Sequence, residues 1–543
     1  MLALVLLFMA GVWCGLVIDL PAWRAVAAGA ALLALWSLTR RLDASGAAQV
    51  SVPLVAASFF AGWALAAAQM GDRRQGPLAD WVRGRSARVV LLGRVVDDPE
   101  GVDAAPRKPA GDRTQAAARG TRVAWQFTLQ AERVRLESDP ASVSFPVAAP
   151  VTVRWTAFED EPQPAYGDCL LLAGVLYSNS RNTSALNALC RQRIQLRASC
   201  RNTEWMPEGR RANPFIAWCY RQRSFVRQYL SAGIRDFPRH TSFLNALVLG
   251  YRQDLPRDIH DDFTATNTLH ILAISGSHVM VIASILIVVL QAAGVSRVRW
   301  IWTVAPLLVA YTVATGLSAS AVRACIMAII LFAAPSLRRR ADILTSLAFG
   351  AFLILAADPS QLFDLGALLS FASVLGLVVL CPVLEKPLQR RLEPDPLRMQ
   401  PERRPARWAR AAARWAVSLV VLTLAAWLVS TPLTAFFFHR FSLAALPANL
   451  ILIPLAFLIL LSGCLSLVLG PVWMFLADLF NHANLFLVEA LLRTLHAMAR
   501  LPGGSVEVPH LPLGALVLYY IVLALAVWRL REIQRRRPLG TDK

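Results

Sequence analysis

Apolar runs of bilayer length recur along the whole chain, and they constrain its fold more than any other feature. A helix crossing the hydrocarbon slab needs about 20 mainly apolar residues. Runs of that kind lie near 3–19, 22–38, 52–69, 267–294, 300–316, 318–335, 341–357, 362–384, 412–438, 443–470, 472–498 and 511–530. With 56% hydrophobic residues over 543 positions, the chain is predicted to be a polytopic α-helical membrane protein. The first run lacks a basic start and a small-residue cleavage site, so it is expected to remain as a span rather than act as a signal peptide.

Charge sets the orientation. The net charge is +20, and of 55 basic residues only Lys108, Lys386 and Lys543 are lysine. The guanidinium fork suits phosphate, but the plainer account is topology, because cytoplasmic loops collect basic residues. Arg40 and Arg41, Arg297 and Arg299, the "LRRR" at 337–340, the loop 386–410 and the tail "RLREIQRRR" fall on one side if the spans alternate. Both termini are then cytoplasmic, and 71–212 lies outside an inner membrane. The expected divisions are N-terminal spans over 1–70, an outside block over 71–212, an amphipathic helix over 213–237, a membrane domain over 238–533 and a basic tail over 534–543.

The outside block has short alternating or β-branched runs between turn-rich stretches: "ARVVLLGRVVDD", "TRVAWQFTLQAERVRLES", "APVTVRWTAF" and "GDCLLLAGVLYS". Four to five strands at this spacing predict a small all-β barrel of the oligonucleotide-binding (OB) kind. Such barrels hold single strands with aromatic faces beside basic side chains. Trp125, Phe127, Trp155 and Tyr177 are candidates, with Arg122, Arg133, Arg135 and Arg154. The plainer account is that the aromatics fill the barrel core. Cys169, Cys190 and Cys200 face an oxidising compartment. Cys190 and Cys200 close a short loop, whereas Cys169 begins a buried strand, so the expected disulfide is Cys190–Cys200.

The stretch "TNTLHILAISGSHVMVIASILIVVL" at 266–290 enters an apolar run with histidines, serines and an asparagine. As a continuous helix it would carry Thr266, Asn267, His270, Ser277, His278 and Ser284 on one arc. Such a stripe needs a protein interior or a watery path, and "SGS" at 275–277 offers a place to break the helix. Asp254, Asp258, His260, Asp261 and Asp262 precede it as candidate cation ligands or bases, or more plainly as caps and solvated turn residues. Arg323 stands inside an apolar run, where it requires a phosphate, a water-filled cavity or a carboxylate such as Asp358 or Asp364. His439, Arg440 and Asn449 lie beside Pro447 and Pro454, which are expected to interrupt a span. There is no Walker A loop, HExxH or HxHxDH run. No metal ligands, cofactor or catalytic residues are therefore assigned.

These blocks resemble the ComEC family of competence proteins. "LHILAISGSHV" is similar to that family's signature, and "ALVLGYRQDLP", "TGLSASAVRACIMA", "ADPSQLFDLGALLSFASVLGLV", "RFSLAALPANLILIPL" and "LPGGSVEVPHLPLGALVLYY" occur in the family's order. The resemblance implies an inner-membrane channel admitting transforming DNA as a single strand, with the outside block as the family's OB-like domain. It implies a path past His270, Ser275, Gly276, Ser277, His278, Arg323, Arg440 and Asn449. It also implies a periplasmic DNA receptor and a cytoplasmic helicase-like ATPase as partners. Ser277 replaces the family's usual leucine. The family's metallo-β-lactamase-like nuclease domain is not represented in the 543 residues, so no nuclease activity is expected.

Two rival functions remain. "AISGSH" also resembles the "GxSG" of rhomboid-like intramembrane serine hydrolases, with alanine at the first glycine. A small-solute or lipid transporter is the other rival, against which the large outside block argues. Orientation gives the first test: reporters fused within 100–120 should be active only in a periplasmic format, and cytoplasmic activity there would overturn the assignment.

Overall fold

The computed structural model describes residues 2–17, 25–30, 52–74, 87–102, 122–136, 145–158, 162–178, 194–206, 212–338, 342–393, 404–471, 473–501, 504–509 and 511–536. Helices α1 (Leu2–Val17) and α2 (Val52–Arg74) pair closely. A Cβ on Gly11 would lie 1.8 Å from the Phe59 carbonyl oxygen, and one on Gly62 would lie 2.3 Å from that of Phe8. Small residues that let backbones touch are the usual basis of helix association in lipid.

The block 71–212 forms β1 (Ala87–Val95), β2 (Glu100–Val102), β3 (Arg122–Leu136), β4 (Phe145–Phe158), β5 (Cys169–Ser178) and β6 (Ile194–Trp205). The order is β1-β5-β6-β4-β3-β2, and β3 also pairs with β1, so the sheet closes on itself. Only the β4–β6 pairing is parallel among the described strands. Alternate residues face inward, and Val89, Leu91, Leu129, Val153, Leu170 and Leu172 line the core. Trp155 and Phe127 are fully buried there, and the Trp155 indole N–H donates to Thr203 Oγ1 at 2.9 Å. The plainer account of these two aromatics therefore holds. The expected Cys190–Cys200 disulfide lies outside the described residues, which include neither Cys190 nor the Cys200 side chain.

The rest is helical: α3 (Pro214–Leu230), α4 (Pro238–Leu249), α5 (Arg257–Ala265), α6 (Gly276–Ala292), α7 (Trp300–Ala314), α8 (Ala319–Ala333), α9 (Ile343–Ala357), α10 (Leu365–Arg390), α11 (Arg404–Phe438), α12 (Ala445–Leu469), α13 (Met474–Ala499) and α14 (Leu513–Arg536). A two-stranded ribbon joins β7 (Arg440–Ser442) to β8 (Ser505–Glu507). Among the described residues, six helical segments are long and apolar enough to cross a membrane: Leu269–Ala292, which joins a 3-10 turn to α6, and Leu365–Arg390, Arg404–Phe438, Ala445–Leu469, Met474–Ala499 and Leu513–Arg535. Three expected spans are shorter than anticipated. Helices α7, α8 and α9 have 15 residues each. Each covers about 22 Å of a hydrocarbon core about 30 Å thick. The cause between α7 and α8 is local: Gly316 and Leu317 have φ of 82° and 51°, which ends the helix. The expected interruption at Pro447 and Pro454 is absent. Pro447 falls in the first turn of α12, where its missing N–H has no partner to lose, and α12 continues through Pro454.

Helix α3 begins where Asn213 Oδ1 accepts the Phe215 N–H at 3.0 Å, a standard N-cap. It exposes Phe215, Trp218 and Phe225 and buries Cys219, Tyr220, Arg223 and Leu230. Arg223 is 1% exposed and joins the barrel to the helical part. Its Nη1 donates to Asp98 Oδ2 at 3.0 Å and its Nη2 to the Leu249 carbonyl at 3.0 Å. Its guanidinium also stacks 3.8 Å from the Tyr251 ring centre. Burial holds the Asp98 carboxyl above the ordinary carboxylate range, outweighing the opposing pull of Arg223. Desolvation therefore exceeds attraction, and the pair specifies geometry more than it adds stability. Arg223→Ala should lower stability by about 2 kcal/mol, less than for a fully buried pair, because the Asp98 side chain is 30% exposed. Arg223→Met with Asp98→Leu should recover most of that loss in thermal unfolding of the detergent-purified chain.

Candidate functional site

The stretch 266–278 is not one helix, which corrects the expectation of a continuous polar stripe. Helix α5 ends at Ala265, Asn267 has φ of 56°, and a single 3-10 turn spans Leu269–Ile271. Helix α6 then starts at Gly276 with Ser275 as its N-cap. The reason lies in residue type. Asn adopts the left-handed region more readily than most residues, and threonine hydroxyls bond nearby backbone in place of helix. The Thr266 hydroxyl donates to the Asp262 carbonyl at 2.9 Å and lies 2.6 Å from that of Thr268.

At the cap, the Ser275 N–H donates to His278 Nδ1 at 3.2 Å, and Ser275 Oγ lies 3.0 Å from the same nitrogen. Ser277 Oγ lies 2.7 Å from Ser275 Oγ. This is a capping box with histidine in the place usually held by Glu or Gln. An Nδ1 that accepts the backbone N–H leaves the neutral ring proton on Nε2. His278 is buried, Ser275 is half-buried, and His270, Gly276 and Ser277 are exposed.

The broken segment is stitched to distant parts of the chain. The Ser320 hydroxyl donates to the Ile274 carbonyl at 2.5 Å, and Arg252 Nε to the Leu272 carbonyl at 3.1 Å. Gly250, with φ of 83°, closes α4 against Ile274: a Cβ there would lie 2.7 Å from Ile274 Cδ1. The Tyr311 hydroxyl donates to the Val248 carbonyl at 3.2 Å. A Cβ on Gly276 would lie 3.7 Å from Ala324 Cβ, so α6 starts against the second turn of α8.

Arg323, 3% exposed, precedes Ala324 in that turn. Its Nη2 donates to the Gly366 carbonyl at 2.8 Å, beside Asp364, whose Oδ1 accepts the Ala367 N–H at 3.0 Å and so caps α10. Of the two carboxylates considered, Asp364 is the neighbour; Asp358 Oδ2 instead accepts from Gln361 Nε2 at 3.2 Å. The aspartates ahead of the site pair with basic groups: Asp254 with Arg227 at 2.7 Å, Asp258 with Arg239 at 2.6 Å and Asp262 with His496 at 2.8 Å.

Ser275, Gly276, Ser277, His278 and the helix carrying Arg323 thus come together. Arg440 is exposed on the β7–β8 ribbon opposite Glu507. Asn449 is half-buried in the first turns of α12, where Ala448 and Leu452 pack in the same buried cluster as Ile271, Leu272 and Val281. In the barrel, Trp125 is half-buried opposite Trp155, Arg154 lies between Gln126 and Arg197 in register, and Arg133 is exposed opposite Leu92. Arg122 is the first residue of β3. Sequence reasoning missed Arg223, Arg252, Tyr311 and Ser320. A signal existed for Arg223, which occupies a position on the apolar face of α3.

A family model described as "Competence protein" matches residues 247–532. That range contains the α6 cap, Arg323, Arg440 and Asn449, and not the barrel. ComE operon protein 3 of Bacillus subtilis (strain 168) is 24% identical over 232 residues, which cover 43% of this chain and 27% of that protein. The chain thus matches about a quarter of that relative's length. No solved structure matches the chain.

His278→Ala leaves the Ser275 N–H without its acceptor and should lower thermal stability of the purified chain by about 2 kcal/mol. His278→Gln, which restores the usual capping-box acceptor, should recover most of it. Equal losses in the two variants would mean that the imidazole acts by packing rather than as a cap.

Proposed function

The chain belongs to the competence protein family, and from that membership we propose that it forms an inner-membrane channel for single-stranded transforming DNA. The observation that carries this reading is the exposure of His270 and Ser277 beside the N-terminus of α6, at the start of an apolar span and inside the family-matched segment. The positive end of a helix dipole, with first-turn N–H groups free of intrahelical acceptors, favours phosphate oxygens. The Ser277 hydroxyl adds a neutral contact. Weak, successive contacts of this kind suit conduction, because a strand bound too tightly would not leave.

The closed barrel serves in this reading as a periplasmic OB-like domain. Its order β1-β3-β4-β6-β5, returning to β1 with one parallel pair, supports that assignment. With Phe127 and Trp155 in its core, strand contacts fall to outward groups such as Arg133 and Arg154 and to the half-buried Trp125. The divisions 1–70, 71–212, 213–237, 238–533 and 534–543 then separate anchor, barrel, surface helix, channel and cytoplasmic tail. Arg323 holds the start of α10 against α8 and keeps the cap's neighbours in place. A periplasmic receptor delivers the DNA, and a cytoplasmic helicase-like ATPase draws it inward, since the chain has no P-loop of its own.

A deletion strain complemented with variants at matched protein level tests the proposal. His270→Ala and Ser277→Arg should lower labelled DNA in the cytoplasm by about tenfold, equivalent to ~1.4 kcal/mol on the crossing barrier. Periplasmic DNA should be unchanged, and Ser277→Leu should be tolerated. Normal import by both His270→Ala and Ser277→Arg would place the path elsewhere.

A further inference from the structure

We propose that the protruding N-terminal turns of α11 form a docking platform for single-stranded nucleic acid, on the basic side of the membrane. This rests on the channel reading above and extends it to the exit. Helix α11 has 35 residues. Its stretch without ionisable side chains, 416–438, covers about 35 Å and fills the hydrocarbon core by itself. Residues 404–415 therefore extend about 18 Å further, beyond the reach of lipid tails. Residues 404–409 are all exposed.

The surface of this extension is specific. Trp408 is 75% exposed and Trp415 is 62% exposed. Seven residues apart on a helix, they lie within about 20° of one another, with Arg404 on the same face. Arg407, Arg410 and Arg414 form an adjacent stripe, and α11 contains no acidic residue. Aromatic belts at the lipid boundary explain a tryptophan at the level of Trp415. They do not explain Trp408, about 10 Å further from the core. Arginines placed only for topology need no aromatic partners. Flat indole faces alternating with guanidinium groups are the combination that stacks bases and holds phosphates without sequence preference.

Neighbouring helix ends enlarge the basic surface. Gln389 Nε2 donates to Ser418 Oγ at 3.0 Å, and Gln534 Nε2 to the Val383 carbonyl at 2.8 Å. The first contact brings the C-terminal end of α10, with Arg390 and Arg391, alongside α11, where Ser418 also donates to Glu385; the second brings the C-terminal end of α14, with Arg535, alongside α10. An acidic protein surface would answer the charge but gives no reason for the indole stripe.

Sealed inverted membrane vesicles, which present only the cytoplasmic face, give the test. The probe is a fluorescent oligothymidylate of about twenty nucleotides. Trp408→Ala with Trp415→Ala should weaken binding about tenfold. Arg404→Ala with Arg407→Ala should weaken it and reduce the salt slope by about 0.7 per arginine. Binding that ignores the tryptophans would overturn the platform. So would a polyglutamate peptide held through Trp408 that the oligonucleotide cannot displace, which would mark a protein-docking site. Import in the complemented deletion strain is read separately. Tryptophan-dependent vesicle binding without restored import overturns the channel alone, and restored import with tryptophan-independent vesicle binding overturns the platform alone.

Discussion

A backbone that leaves the helix inside an apolar slab must find every hydrogen bond within the protein, because lipid supplies none. The segment between α5 and α6 breaks an apolar run and meets that requirement at three of its backbone groups. Its carbonyls at Leu272 and Ile274 accept from Arg252 and Ser320, and its first free N–H at Ser275 donates to His278. The family-like blocks "LGYRQDLP", "LAISGSHV" and "TGLSASAVRA" are therefore three parts of one arrangement. The first supplies Gly250 and Arg252, the second the broken segment itself, and the third Ser320 and the residue that meets Gly276.

The same economy governs charge. Arg223 and Arg323 are both buried, and each donates to a backbone carbonyl at a helix end while lying near an aspartate. Buried ion pairs add little stability when desolvation is counted, but breaking one leaves an uncompensated charge. Both arginines thus act as alignment devices. Arg223 sets the barrel against α4, and Arg323 sets α8 against α10. Through Leu249 and Gly250, the Arg223 contact lies one residue from the wall of the α6 cap. The barrel and the polar cap are mechanically close although they are separated in sequence.

Helix length divides the membrane part into two kinds of element. Helices α10 to α14 are long, and α11 exceeds the slab. Helices α7, α8 and α9 are too short to cross it without help, and the first turns of α8 meet the α6 cap through Ser320 and Ala324. Short helices bring polar ends to membrane depth, where they are tolerated only if they line protein or water. The long helices are long and apolar enough to cross the slab by themselves.

Much of this was legible in the chain itself. Hydropathy located the apolar elements, and alternation announced strands between 71 and 212. The blocks around Ser275 and Arg323 carried the family resemblance. Each of these is a local property, summed over neighbouring residues. What the tertiary structure decided is where regular structure stops and what compensates for it. Hydropathy ran 267–294 together as one span, because Thr266, Asn267 and Ser275 are too few to lower an apolar average. The break is held in part from far along the chain: Ser320, 46 residues away, reaches the Ile274 carbonyl. Arg223 likewise gained its meaning from Asp98, 125 residues earlier, and from Leu249, 26 residues later. The cost of a polar group in an apolar run is written in the sequence around it, but the partner that removes that cost is set by packing between distant segments.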